Sequence, residues 1–193
     1  MKGFDVALGV SVIGWAVGAL VREADRPLAV RLSLAGLDLV VGLLLLARRG
    51  PVAGGGVRGV LAALPSMLLG ATALKLAAGG DWSPFAQALF GAGALGAAAS
   101  LLSLGRSFAW FPAQAELVQR GPYRWVRHPA YLCELVMVAA CALVSPPVGV
   151  PLTIGVALAV AWRIAAEERA MAGGDGWAGY RARVRWRLVP GLY

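Results

Sequence analysis

Charged residues, histidine and cysteine are all scarce in this chain of 193 residues. Only 15% of the residues are charged, whereas 59% are hydrophobic, and the mean hydropathy is +0.71. A soluble domain carries roughly 25% charged residues, so this composition excludes an ordinary cytosolic enzyme as well as a disordered chain. The sequence is therefore that of a membrane protein.

The cysteines exclude two further classes of site. Cys133 and Cys141 stand inside an apolar run, and their spacing is not that of metal ligands. Two cysteines are also too few for a disulfide framework, and the chain has a single histidine. We expect no metal ion in this protein.

Long apolar runs fill the first half of the sequence. A helix needs about 20 residues to cross a bilayer. Runs of about this length cover 4–21, 28–47, 59–78 and 85–104. We therefore predict an all-α membrane protein with about four transmembrane helices in residues 1–104.

Residues 105–193 have a different character. A polar, aromatic-rich segment is followed by two apolar runs, 130–144 and 148–162, each of which is short for a full span. Ser145, Pro146 and Pro147 separate these runs, which is typical of the tip of a helical hairpin. We predict a C-terminal helical hairpin whose open end, or mouth, faces the same side as the end of the fourth span.

Lysine and arginine near the span ends predict the orientation. Arg48, Arg49 and Arg58, together with the arginines after residue 105, flank one side of the predicted membrane. The positive-inside rule places this side, and with it the mouth of the hairpin, in the cytosol. The excess of arginine over lysine and the abundant alanine and glycine are typical of a GC-rich bacterial genome, so we expect the cytoplasmic membrane of a bacterium.

The C-terminal tail alternates arginines with aromatic residues. This pattern is typical of a belt at the bilayer surface, and no nucleic-acid recognition module accompanies it, so we expect no nucleic-acid partner. The residues of this predicted belt are Trp177, Tyr180, Arg181, Arg183, Arg185, Trp186, Arg187 and Tyr193.

Residues 91–96 match the dinucleotide-binding pattern GxGxxG by letter. That motif needs a preceding strand and a free helix N-terminus to receive a pyrophosphate. Here it lies within an apolar helix, so we interpret its small residues as a close-packing face. Asp38 lies near the middle of the second run, where a functional carboxylate and a structural hydrogen bond are both open interpretations.

Most of the chemically active residues lie around the hairpin. His128 precedes Pro129 at the start of the first arm, where the helix dipole favours an anion, although a simple capping histidine fits the same position. Arg163 and Glu167 are four residues apart and share one helix face, while Glu168 is turned about 100° away. An intrahelical ion pair would also explain that spacing. Because the two arms are antiparallel, we expect His128, Tyr131, Arg163 and Glu167 to meet at the mouth.

These residues resemble the isoprenylcysteine carboxyl methyltransferases and their bacterial relatives. The resemblance covers about residues 105–190. The matching pieces are Leu117-Val118, Gly121-Pro122-Tyr123, Arg127-His128-Pro129-x-Tyr131, Arg163-Ile164-x-x-Glu167-Glu168 and the tail over 180–190.

The resemblance implies an integral-membrane enzyme that uses S-adenosylmethionine and whose catalytic region is 105–193. It assigns Arg163 to orient the acceptor. A hydroxyl acceptor would also need a base, for which His128 and Glu134 are the candidates. The implied cofactor-binding residues are Ala115, Glu116, Leu117, Val118, Tyr123, His128, Pro129, Ala130, Tyr131 and Glu167. The implied partners are the lipid bilayer and a lipophilic or prenylated acceptor.

The methyl acceptor stays open at the level of sequence. The carboxylate of a prenylated cysteine is the first expectation, and a phospholipid amine, an alkylphenol or a small thiol are alternatives on the same scaffold. Membrane sterol reductases resemble the same region and use NADPH. An accessory protein that keeps the fold without turnover is a further alternative.

Overall fold

The computed structural model describes residues 2–21, 25–47, 56–108 and 117–193. Within these ranges the chain forms seven α-helices and no β-strand, which confirms the predicted fold class. The helices are α1 (Lys2–Val21), α2 (Leu28–Ala47), α3 (Gly56–Leu76), α4 (Pro84–Leu104), α5 (Pro129–Val144), α6 (Pro146–Met171) and α7 (Trp177–Arg183). Short 3-10 helices occupy Gly105–Ser107 and Gly121–Arg124.

Four of the described helices are long and apolar enough to cross a membrane. They are α2, the Gly59–Leu76 part of α3, α4 and α6. The apolar parts of α1 (Asp5–Val21) and α5 are shorter. The predicted runs 28–47, 59–78 and 85–104 thus correspond to candidate spans, whereas the run 4–21 corresponds to the shorter apolar part of α1. By length and composition these helices are those of an integral membrane protein.

The hairpin is confirmed, but the prediction that both of its arms are short is wrong. Ser145 joins α5 to α6, and Pro146 and Pro147 occupy the first turn of α6, where a proline loses no helical hydrogen bond. α6 continues for 26 residues, well past the apolar run, because arginine and glutamate do not interrupt a helix. A Cβ at Gly80 would collide with Val144 Cγ1, so the tip of the hairpin lies against the α3–α4 connection.

The small residues of α4 form the predicted close-packing face. A side chain at Gly93 would place its Cβ 2.7 Å from Met137 Cγ, and one at Gly96 would place it 2.7 Å from Cys133 Sγ. Both contacts are far shorter than van der Waals distance, so only glycine lets α5 approach α4 this closely. The GxGxxG letters in α4 therefore serve helix packing.

The remaining contacts set the positions of the helices around a common space. α1 packs on α2, α2 on α4, and α3 on α6, while α5 lies against α4, α6 and α3. The largest buried cluster joins Phe90 of α4, Val138 of α5 and Ile164 of α6. α4 and α6 end, and α5 begins, at the same end of the bundle, which we call the mouth end.

Candidate functional site

A cavity of about 300 Å³ lies between α2, α3, α4, α5 and α6 near the mouth end. This volume is at the small end of ligand cavities, which occupy roughly 300–1,000 Å³. One wall is apolar and is formed by Leu37, Val41, Met67, Ala97, Leu101 and Met137. The acidic and basic residues that line it are Asp38, Arg127, His128, Glu134, Arg163 and Glu167.

The first turn of α5 connects both hairpin arms at the mouth end. Tyr131 donates a hydrogen bond from its hydroxyl to Glu167 Oε2 on α6, at 2.7 Å. The imidazole of His128 stacks on the Tyr131 ring, with centroids 5.6 Å apart and planes 12° apart. His128 Nδ1 lies 3.9 Å from Glu167 Oε2. The predicted meeting of these residues is thus present in the structure.

Arg163 lies one turn deeper on the same face of α6. Its Nη1 donates to Ser66 Oγ on α3 at 3.3 Å, and its guanidinium carbon lies 4.8 Å from the centre of the Tyr131 ring. Ser66 is fully buried, and its hydroxyl donates to the carbonyl of Ala63 at 3.2 Å. Arg163 is therefore held between α3 and α5, by Ser66 on one and by the Tyr131 ring on the other.

Glu168 lies on the other side of α6, away from the cavity, and is buried among cations. Its carboxylate accepts hydrogen bonds from Arg127 Nε at 2.9 Å and from Arg187 Nη2 at 2.8 Å. His128 Nε2 lies 3.3 Å from Glu168 Oε1. The bonds with Glu168 raise the pKa of the Arg187 guanidinium. The helix dipole at the start of α5 favours an anion, and here the carboxylate of Glu168 supplies that anion from within the protein.

The C-terminal tail is bound to the segment before α5 through its backbone. The backbone N–H groups of Arg127 and His128 donate to the carbonyl oxygens of Trp186 and Arg187, both at 2.9 Å. Arg127 Nη1 also donates to the carbonyl of Val184 at 2.9 Å. These bonds fix the position of the backbone at His128.

The prediction that Trp177 and Tyr180 belong to an exposed aromatic belt is wrong. Trp177, Tyr180 and Val184 form a buried cluster with Leu117 and Met171, because the turn after α6 brings α7 against the segment before α5. Trp186 and Tyr193 do remain exposed, each at 39%.

Two tyrosines of this region remain neutral over the physiological pH range. Burial raises the pKa of Tyr180 to about 12, and its hydroxyl donates to the carbonyl of Tyr123 at 2.9 Å. Burial, with a contribution from the carboxylate of Glu167, raises the pKa of Tyr123 well above its ordinary value. Tyr123 therefore presents a protonated phenol to the cavity.

The predicted site residues separate into three groups. The cavity is lined by Tyr123, His128, Ala130, Tyr131, Arg163 and Glu167. Pro129 lines a different groove beside Trp125, and Leu117 and Val118 line a third depression, so the structure does not bring these three to the cavity. Ala115 and Glu116 lie outside the described residues.

Sequence reasoning left out two cavity residues. Neither Glu134 nor Asp38 is among the predicted site residues, although both line the cavity. The sequence offers one signal for them, a carboxylate within an apolar helix. A charge at that depth costs free energy, so such a residue is a candidate for a functional role.

The donor set fits S-adenosylmethionine chemically. This cofactor carries an ammonium, a carboxylate and a sulfonium, which require an anion, a cation and a polarisable neighbour. Glu167 supplies an anion for the ammonium, and the rings of Tyr123 and Tyr131 supply a polarisable neighbour for the sulfonium, in one space. Among the described residues, no group of His, Cys, Asp and Glu side chains is arranged to hold a metal ion.

Residues 88–173 match the model of the isoprenylcysteine carboxyl methyltransferase (ICMT) family. This match confirms the resemblance drawn from the motifs, and the description is that of a methyltransferase family. It covers most of α4 and all of α5 and α6, and it excludes α2, α3 and the end of the tail. No curated protein matches the chain.

Proposed function

We propose that this protein is an integral-membrane methyltransferase that transfers a methyl group from S-adenosylmethionine to a lipophilic acceptor. The first acceptor class is the carboxylate of a prenylated cysteine. One observation carries this proposal: Glu167 and Arg163 lie on successive turns of α6 with Tyr131 between them, in a cavity whose other wall is apolar. The family match to methyltransferases supports the same reaction.

Glu167 is the proposed ligand of a polar, cationic group of the cofactor. Its carboxylate is positioned by the hydroxyl of Tyr131 and is about a quarter exposed, with 27% of the side chain accessible. Tyr123, His128 and Ala130 complete the proposed cofactor site with Tyr131. Leu117 and Val118 line a depression that shares Leu104 with the cavity, and we propose that they contact an outer part of the cofactor there, together with Ala115 and Glu116.

When bound, the cofactor supplies a methyl group on a positively charged sulfur, which is already activated for displacement. The chain itself then has to bind the acceptor, orient it toward the methyl group and exclude water from the site. Arg163 is suited to orient an acceptor carboxylate because Ser66 and the Tyr131 ring fix its guanidinium. A carboxylate carries no proton at its nucleophilic oxygen, so this reaction requires no base.

The apolar wall accounts for the lipophilic acceptor. Leu37 and Val41 of α2, Met67 of α3 and Leu101 of α4 face the same cavity as Arg163. An acyl or prenyl chain on this wall removes apolar surface from water, at about 25 cal/mol per Å². We propose that the acceptor enters the cavity from the membrane, while the cofactor is bound at the mouth end, on the cytosolic side.

Ligand-induced stabilisation of the purified full chain in detergent tests this function. S-adenosylmethionine and its demethylated product are expected to raise the unfolding temperature, because a ligand at 100 times its Kd stabilises the native state by about 2.7 kcal/mol. Glu167→Gln should weaken this effect, whereas Asp175→Asn, a matched change at an exposed acid, should leave it intact. Stabilisation by NADPH, with none by S-adenosylmethionine, would contradict the proposal and favour the reductase alternative.

A further inference from the structure

A groove of about 850 Å³ lies outside the cavity, between α4, the start of α5 and the C-terminal tail. The groove and the cavity adjoin different faces of α5, because Pro129 and Cys133 line the groove whereas Ala130 and Glu134 line the cavity. The proposed methyl transfer takes place in the cavity. A ligand in the groove would therefore have a separate role.

The groove collects positive charge from two segments of the chain. Arg124 lies at the end of the 3-10 helix before α5, Arg183 is the last residue of α7, and Arg185 follows in the tail. All three are exposed, and no aspartate or glutamate of the described chain lines the groove. This part of the surface is therefore suited to an anion.

The contacts of these arginines leave their charges uncompensated. Arg183 Nη2 donates to the side-chain oxygen of Gln119, which is neutral, and the guanidinium carbon of Arg124 lies 4.3 Å from the centre of the Trp125 ring. Within the described residues, no ion pair joins Arg124, Arg183 or Arg185 to a carboxylate. The charges of all three are thus available to a ligand.

The rim and the floor of the groove differ in polarity. Two tryptophans stand at the rim, Trp125 with 60% and Trp186 with 39% of its surface exposed, and exposed tryptophan is typical of the membrane–water interface. The floor is formed by small and apolar residues, including Gly96, Ala99 and Leu132. Gly96 lies eight residues before the end of α4, which is about 12 Å below the mouth end. The groove thus leads from headgroup level into the apolar layer.

We propose that this groove binds an anionic glycerophospholipid, with its phosphate on Arg124, Arg183 and Arg185 and an acyl chain over Ala99 and Leu132. Guanidinium groups match phosphate oxygens in geometry and charge, and basic pockets between membrane helices bind anionic headgroups. A free phosphate would use the rim alone, whereas a lipid uses the rim and the floor. Because the arginines belong to two segments, the bound lipid connects the tail to the segment before α5.

Lipid titration of the purified full chain in dodecyl maltoside tests this proposal. The thermal unfolding midpoint, followed against lipid concentration, gives an apparent affinity. The ligands are dioleoyl phosphatidylglycerol, dioleoyl phosphatidylcholine, which has the same chains and no net charge, and glycerol 3-phosphate, which has the phosphate without chains. Their comparison separates the contributions of the headgroup and of the chains.

Two groove variants and two matched controls locate the binding. Arg124→Gln/Arg185→Gln removes two charges from the rim, and Arg169→Gln/Arg181→Gln removes two exposed charges outside the groove. The substituted positions are exposed, so these variants are expected to fold.

The floor is tested without any change of charge. Ala99→Trp fills the groove at an exposed position of α4, and Ala92→Trp is the control at an exposed position of the same helix away from the groove.

The wild type is expected to bind phosphatidylglycerol at least about tenfold more tightly than phosphatidylcholine. The rim variant should lose about tenfold or more of this affinity, because each arginine at headgroup level contributes roughly fivefold. Ala99→Trp should also weaken binding, and both controls should match the wild type. Equal affinity for the two lipids, unchanged affinity in both groove variants, or an equal loss in the two double variants overturns the proposal. Glycerol 3-phosphate that stabilises as well as the lipid would show a phosphate site instead.

Discussion

Glu167 and Glu168 are consecutive on α6, yet their carboxylates lie in two different parts of the molecule. Glu167 faces the cavity and accepts the hydroxyl of Tyr131. Glu168 faces the tail and is surrounded by Arg127, His128 and Arg187. Because successive residues of a helix point about 100° apart, one turn of α6 serves both regions.

The two regions differ in how completely the protein satisfies their charges. On the tail side, Glu168 is 8% exposed and accepts hydrogen bonds from two arginines, so we expect it to stabilise the fold. On the cavity side, Glu167 has one described hydrogen bond and a partly exposed carboxylate. Tail-side changes should therefore reduce stability, and cavity-side changes should reduce ligand use.

The largest expected effect is that of Glu168→Gln on stability. Removing one partner of a buried ion pair leaves an uncompensated charge and costs about 3–5 kcal/mol. Arg127, 7% exposed, would be left in that state. The thermal unfolding midpoint in detergent should fall well below that of Asp175→Asn. An unchanged midpoint would mean that the tail-side network does not hold the fold.

Next in size is the effect of Arg163→Ala on carboxylate acceptors. Loss of a charge-assisted hydrogen bond costs about 1.5–3 kcal/mol, or roughly 10–150-fold in kcat/KM. The loss should be smaller with an amine acceptor, and Arg163→Lys should recover part of the activity. Arg169→Ala, an exposed arginine on the same helix, is the control. Equal losses with both acceptors would contradict the assigned role of Arg163.

Glu167→Gln should act on the cofactor rather than on the fold. The amide keeps the shape and an acceptor for Tyr131 but loses the negative charge, so affinity for S-adenosylmethionine should fall about tenfold or more, which is about 1.4 kcal/mol. Isothermal titration measures the affinity, and the unfolding midpoint of the ligand-free variant should stay near that of the wild type. Unchanged affinity would remove Glu167 from the cofactor site.

The smallest expected effect is that of Tyr180→Phe. This change removes the buried hydrogen bond from the hydroxyl to the carbonyl of Tyr123 and should cost about 1 kcal/mol. The unfolding midpoint should fall slightly, with cofactor affinity nearly unchanged. A loss of affinity as large as that of Glu167→Gln would show that the two regions are not separable.

The sequence predicted the elements whose signal is local. Apolar run length gave α2 and α4 almost to the residue, because membrane helices must satisfy their backbone internally over a fixed thickness. The Ser-Pro-Pro turn located the hairpin tip for a similar reason, since proline suits the first turn of a helix. The small residues of α4 predicted its close contact with α5.

What the sequence could not predict depends on tertiary packing. The burial of Trp177 and Tyr180 depends on α7 packing against the segment before α5, and no local pattern encodes that. Glu168 was assigned to a different face from Glu167, but its cations come from two distant segments. Asp38 reaches the cavity only because α2 packs on α4.

Transfer of a labelled methyl group from S-adenosylmethionine to N-acetyl-S-farnesylcysteine, by the purified full chain in lipid vesicles, tests the central claim most directly. The wild type is expected to label the acceptor, and Glu167→Gln should do so at least about tenfold more slowly at limiting cofactor. Asp175→Asn should match the wild type. A wild-type protein that labels neither this acceptor nor a lipophilic amine, and that oxidises NADPH instead, would contradict the account.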